Sequence, residues 1–362
     1  MKVGDFEYKV NELGHPRIKH NIKDPGKLYK YYSITEFSVQ AITNSYLYAS
    51  HPFDLNDITD SSVDLLHIEE RPILSDYEIL YKEFSFRLDM QKVSEIYKED
   101  KTGSKYLQDL WLNISSRFGI ISMSKNEFSD LMWPHYTSET GFQMEFDTDK
   151  LKANLEYQFK KSIWFNPINY LTNRKVLNYN HLGDNKASIL FQYITNVKDI
   201  LWQYENEWRF IIGNGFMGIP FSKKYYPALP KNSAANPAAR KIEYKSDCVT
   251  GITLGENFIN HNQFDIETPR LEYKDPVILF NIKQGETQSE KKNISLYKDL
   301  LDYLTSNWDQ PIYLTEIIKA HENSGAILKR IKRQVQIKKI GLLKYEMRLT
   351  NELFDKNGII KT

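Results

Sequence analysis

The chain reads as an α+β fold, a mixed sheet with inserted helices, followed by a small helical C-terminal domain. Three observations predict this. Strand-like stretches and helix-like stretches alternate irregularly up to about residue 284, which suits a mixed sheet better than a doubly wound one. With 41% apolar residues, 24 Tyr and 19 Phe in 362 residues, the chain can bury a sizeable core. Beyond GETQSEKKN, 285–293, the composition changes to short polar and basic segments, which places a boundary near 290.

The elements follow in order. Residues 1–27 form a polar N-terminal extension ending in the turn KDPGK, and the first domain spans 28–284. LYKYYS is a short strand, Thr35 or Ser33 caps a helix through FSVQAIT, and SYLYASHPFDLND is a strand running into a turn. Residues 74–117 carry apolar residues at helical spacing and stop at Gly119. GIISMS, GFQMEFD and WFNPINY are extended, and a helix covers ASILFQYITNVKDILWQY. ENEWRFII alternates Glu207 and Arg209 against Trp208 and Phe210, the pattern of a strand with one polar face. Residues 214–241 look like an exposed loop, and CVTGITLGENF and PVILFNI are two further strands. In the tail, 294–362, SLYKDLLDYLTSN, LTEIIKAHE and AILKRIKRQVQIKKIG read as helices, with DKNGII as a wing, giving a winged-helix-like unit.

Composition removes several function classes. A net charge of +1 excludes whole-chain attraction to polyanions, so nucleic-acid binding would need a local patch. The single cysteine, Cys248, excludes an intrachain disulfide framework and suits a reducing, cytoplasmic setting. No apolar run is long enough to cross a membrane as a helix, and the first residues lack the apolar core of a signal peptide. GxxxxGK[ST], GxGxxG, HExxH, CxxC and GxSxG are all absent.

Four stretches carry candidate chemistry. LMWPHYTS sets Trp133, His135 and Tyr136 around Pro134, on a bent segment that must be half buried; His135 is a proton carrier and Tyr136 a donor or a stacking ring. Glu205 and Glu207 stand two apart on the expected strand, with Arg209 next on the same face. Two neighbouring carboxylates repel, which raises the pKa of one and suits it to acid–base work. Glu207, inside the strand, is expected to be the more buried and the more perturbed. Ser122 and Ser124 share one face of the strand that ends GIISMS, and Asp54, Asn56 and Asp57 form a turn. Asp54 and Asp57 together with Glu205 and Glu207 would make the carboxylate set of a metal-dependent nuclease. In the tail, Ile327, Ile331 and Val335 line one side of the basic segment, while Lys329, Arg330, Lys332 and Arg333 are candidates for phosphate contacts or a partner protein.

The order LYKYYS, YLYASHPFDLND, FGIISMSKNEFSDLMWPHYTSETGFQMEFD, K-x-x-x-W-x-x-E-x-E-W-R, VTGITLGENF resembles the bacterial proteins grouped as domain of unknown function 2971, over residues 28–280. A second resemblance is to ADP-ribosyltransferase folds. There, a polar or basic residue on an early strand, a Ser-x-Ser on a middle strand and a Glu-x-Glu later bind NAD and cleave it. Lys30 or Tyr32, Ser122 with Ser124, and Glu205 with Glu207 fill those places in order. The resemblance implies an NAD-consuming enzyme, of the kind that serves as a toxin or phage-defence effector, with NAD as substrate and catalytic Glu207 and Glu205; His135, from the reading of LMWPHYTS itself, is the third catalytic candidate. The alternative is a module that senses a nucleotide-type small molecule or binds nucleic acid without catalysis.

Overall fold

The computed structural model describes residues 1–12, 15–57, 59–83, 89–160, 162–182, 186–215, 217–219, 237–267, 276–322, 325–356 and 358–360. Most of the expected loop 214–241 lies outside them; within it, Ala238–Arg240 is a single 3-10 turn.

Among the described residues the centre of the fold is a sheet of twelve strands. In chain order these are β1 (Lys27–Tyr32), β2 (Phe118–Ser124), β3 (Phe142–Asp147), β4 (Ile163–Pro167), β5 (Glu207–Gly213), β6 (Val249–Leu254), β7 (Phe264–Ile266), β8 (Val277–Ile282), β9 (Ile312–Glu322), β10 (Gly325–Lys339), β11 (Lys344–Asp355) and β12 (Gly358–Ile360). Across the sheet they run β7-β8-β11-β10-β9-β6-β3-β1-β2-β5-β4, with β12 beside β11. Only β6 and β9 pair in parallel along this path. The mixed sheet is the one expected.

Alternation along the strands divides two cores. Ile121 and Met123 of β2, with Trp208, Phe210 and Ile212 of β5, point to one face. There they meet helices Glu36–Thr43, Thr148–Phe159 and Gln288–Ser306 through Ile42, Leu151, Leu155, Leu300 and Leu301. Phe118, Ile120 and Ile211 point the other way, against Trp111 of helix Ser104–Ser115 and Leu190 and Ile194 of helix Lys186–Ile194. Phe6 and Tyr8, in the expected N-terminal extension, are buried in this second core on a small three-stranded sheet.

The tail corrects the sequence reading. In place of the expected winged helix, LTEIIKAHE and the basic stretch after Gly325 are the antiparallel strands β9 and β10, and β9 joins the main sheet beside β6. Ile327, Ile331 and Val335 recur every four residues, an even spacing that lies along one face of a strand as readily as along a helix. The β-branched Ile and Val at those places favour the strand. The expected linker is also ordered. The Thr287 hydroxyl accepts from the backbone N–H of Glu290, and the Thr287 backbone N–H donates to the Glu290 carboxylate, a capping box that starts helix Gln288–Ser306 inside GETQSEKKN.

Candidate functional site

Strands β1 and β2 are hydrogen-bonded neighbours at one pair only, Tyr29 opposite Ser124. Beyond that pair the ladder ends and the sheet opens. A cavity of about 210 Å³ sits at this opening, and its wall includes Lys30, Ser122, Ser124, Tyr136, Lys198, Glu205, Glu207, Arg209, Asp54, Asn56 and Asp60. Lys30 Nζ bridges the split, donating to the Ser122 carbonyl at 2.7 Å.

Strand register supplies the polar floor. Arg209 lies opposite Ser122 and Glu207 opposite Ser124, all on one face of β2 and β5. Behind them Trp208 and Phe210 stack on Phe165, at 4.8 and 4.4 Å between ring centroids. Glu205 is not on this strand. It ends the 3-10 helix Ile200–Glu205, and Asn206 turns the chain in the left-handed region with φ 46°. Asn tolerates that conformation better than most residues. The turn brings both carboxylates to one ammonium: Lys198 Nζ is 2.6 Å from Glu205 Oε2, 3.3 Å from Glu207 Oε2 and 3.5 Å from Asp60 Oδ2.

Arg209 completes the network. Its Nε donates to Glu207 Oε1 at 2.6 Å and its Nη2 to Glu207 Oε2 at 3.1 Å. Nη1 donates to Asp60 Oδ1 at 2.9 Å, Nη2 bonds the other oxygen of Asp60, and Nη1 also reaches the Thr195 carbonyl at 2.9 Å. Removing charges from water is costly unless each is paired and hydrogen-bonded, and here each is.

Tyr136 enters from the opposite wall. LMWPHYTS forms a π-helical turn, Trp133–Thr137, starting just ahead of Pro134. Turns of this kind are rare and recur at functional sites. The Tyr136 hydroxyl donates to Glu205 Oε1 and accepts from Asn56 Nδ2, the latter at 2.9 Å. Burial and the charge of Glu205 push this phenol well above its ordinary range, so it stays a donor.

The two carboxylates are driven apart. Both are buried, at 3% exposure for Glu205 and 5% for Glu207, so the expected difference in burial is absent. Burial, then the charge of Glu207, raises Glu205. Burial also acts to raise Glu207, but Arg209 and Lys198 outweigh it and hold that carboxyl far below the ordinary range. Lys30, with no carboxylate so close, is pushed by burial down to about 8, against the pull of Glu207 and Glu205.

The cavity thus gathers Lys30, Ser122, Ser124, Tyr136, Glu205, Glu207 and Arg209, which the sequence singled out. Three others stand elsewhere. His135 is exposed, edge-on to Tyr136 and Trp202, and does not line the cavity. Trp133 is buried behind the wall against Tyr31. Tyr32 stacks on Phe142, and its buried hydroxyl has no hydrogen-bond partner among the described residues. Lys198 and Asp60 were missed. Lys198 opens the K-x-x-x-W-x-x-E-x-E-W-R pattern, and a basic residue there was the available signal; Asp60 gave none.

A metal reading of the carboxylates meets a physical obstacle: Lys198 and Arg209 already stand between them. Among the described residues no three His, Cys, Asp or Glu are grouped to hold a metal ion. Nor are the basic tail residues free. Lys329 pairs with Asp355, Arg330 with Asp130 and Glu139, Lys332 with Glu127 and Glu145, and Arg333 with Glu316. Among the described residues no helix is long and apolar enough to cross a membrane.

No curated protein and no solved structure matches the chain, so the likeness to ADP-ribosyltransferases has no support from relatives. Residues 132–210, which carry Tyr136, Lys198, Glu205, Glu207 and Arg209, match the family model described as "Protein of unknown function (DUF2971)".

Proposed function

We propose that the cavity is the active site of an NAD-consuming enzyme, acting by ADP-ribosyl transfer or NAD hydrolysis. One observation carries the reading. A cation from an early strand (Lys30), a Ser-x-Ser from a middle strand and a Glu-x-Glu from a later segment line one cavity where the sheet splits, although they are up to 177 residues apart in sequence (207 − 30).

The chemistry fits the electrostatics. When the nicotinamide–ribose bond breaks, its electron pair leaves with nicotinamide and positive charge develops on the ribose. A fixed negative group beside that carbon stabilises it. Glu207, kept ionised by Arg209 and Lys198 and hydrogen-bonded by the Ser122 side chain, fills that role. Glu205, raised and bonded to Tyr136, takes the proton of the attacking water or acceptor. Paired carboxylates with divergent environments take the two roles of such a site. Lys30 binds an anionic or hydroxyl group of the ligand. The cavity is smaller than the roughly 300–1,000 Å³ of a drug-sized site, so it takes the nicotinamide–ribose end and leaves the adenosine end outside.

The test is incubation of purified protein with NAD, alone and with cell lysate as acceptor, followed by separation of nicotinamide. Time-dependent release, lost in Glu207→Gln, supports the reading. No release from the folded wild-type protein under either condition overturns it and leaves a binding module.

A further inference from the structure

The site is braced from the tail, outside the segment that matches the family model. Asp130 and Glu139 bound the stretch that places Met132 and Tyr136 in the cavity wall. A single guanidinium on β10, that of Arg330, ties both ends of it. Its Nε donates to Asp130 Oδ1 at 3.1 Å. Its Nη1 and Nη2 donate to the two oxygens of Glu139, at 3.0 and 2.8 Å. Between these anchors it lies over the ring of Trp133, 5.8 Å from the centroid. The Arg330 side chain is only 3% exposed.

The stretch needs such a brace. It contains the π-helical turn, and Ser138 and Glu139 both sit in the left-handed region, with φ 53° and 58°. Backbone in sparsely populated regions persists only where its surroundings hold it. A planar fork with several fixed donors can hold two carboxylates at once, whereas a lysine ammonium is a point charge.

We propose that Arg330 is a positioning residue of the cavity, holding segment 130–139 so that the Tyr136 hydroxyl meets Glu205. Its functional consequence rests on the NAD reading, but its structural core does not. Tyr136 donates to Glu205 and so favours the carboxylate; a displaced Tyr136 lets Glu205 hold its proton to higher pH.

Two measurements test it. The first is the pH profile of nicotinamide release for wild type, Arg330→Met, Tyr136→Phe and the double variant. Each single change should move the acid limb upward by about one pH unit, the scale of one hydrogen bond to a charged group. The double variant should move it no further than either single, since both remove one contact. Arg330→Lys should shift it as Arg330→Met does, and Lys329→Met, whose partner Asp355 lies outside the segment, should not shift it. The second measurement is amide exchange without ligand. Arg330→Met should speed exchange in 131–138 at least tenfold and leave 207–213 as in wild type. Arg330→Lys repeats it if the methionine variant fails to fold. If wild type releases no nicotinamide, the NAD reading fails and exchange alone decides. Additive pH shifts, or unchanged exchange in 131–138, would overturn the role of Arg330.

Discussion

Two ionic networks buried among the described residues differ in what they face. The first joins Asp60, Lys198, Glu205, Glu207 and Arg209 at the split between β1 and β2 and looks into open space. The second gathers Lys332 with Glu127 and Glu145 and, beside it, Arg330 with Glu139 and Asp130, between the tail strands and the segment after β2; it reaches solvent at Asp130 and at Lys27, the exposed partner of Glu145. Both satisfy their charges, and the second even contains a buried lysine, Lys332, set against the Tyr313 ring at 4.1 Å. Burial of charge alone therefore does not mark a site. What distinguishes the first network is a cavity at its surface and two carboxylates driven in opposite directions.

The comparison is most easily broken by removing one cation from each network. Arg209→Met leaves Asp60 and Glu207 buried, with Lys198 as their remaining cation. The expected loss is about 3–5 kcal/mol, the range for breaking a buried pair, read from denaturant unfolding. Arg330→Met should cost less, about 1–3 kcal/mol, because Asp130 is 73% exposed and reaches water. Equal losses would mean that the cavity network is no more enclosed than the brace.

Lys30 sharpens the contrast in another variable. Its folded value, about 8, lies below the ordinary 10.5. Between those values the unfolded chain holds a proton that the folded chain has released. Stability should therefore rise with pH across that window, and Lys30→Met should flatten the rise. Ligand binding should run the opposite way, falling above about pH 8 as the ammonium is lost. The smallest effect is expected at the rim of the tail: Lys329→Met removes a partly exposed pair with Asp355 and should cost less than about 1 kcal/mol.

These differences bear on what could be read in advance. Period-two alternation exposed β5 and put Glu207 and Arg209 on one face, because burial of Trp208 and Phe210 fixes the register. Glu205 reached the cavity by another route, a left-handed turn at Asn206 that no alternation encodes. Pro134 marked a bend, but not that the bend would aim Tyr136 inward and leave His135 outside. In the tail, a four-residue repeat satisfied both periods; the β-branched Ile327, Ile331 and Val335 leaned toward a strand, and long-range pairing with β6, β9 and β11 fixes it. Lys198 sat in plain view within the motif, yet its role depends on Asp60, 138 positions earlier (198 − 60).

The most direct test compares nicotinamide release from NAD by wild type and by Glu207→Gln, with folding of each verified by thermal unfolding. Wild type should release nicotinamide steadily, and the variant should be slower by about 10²–10³-fold, the scale of removing one preorganised electrostatic partner of a transition state. Equal rates in the two proteins, or no release from wild type, would contradict the NAD reading.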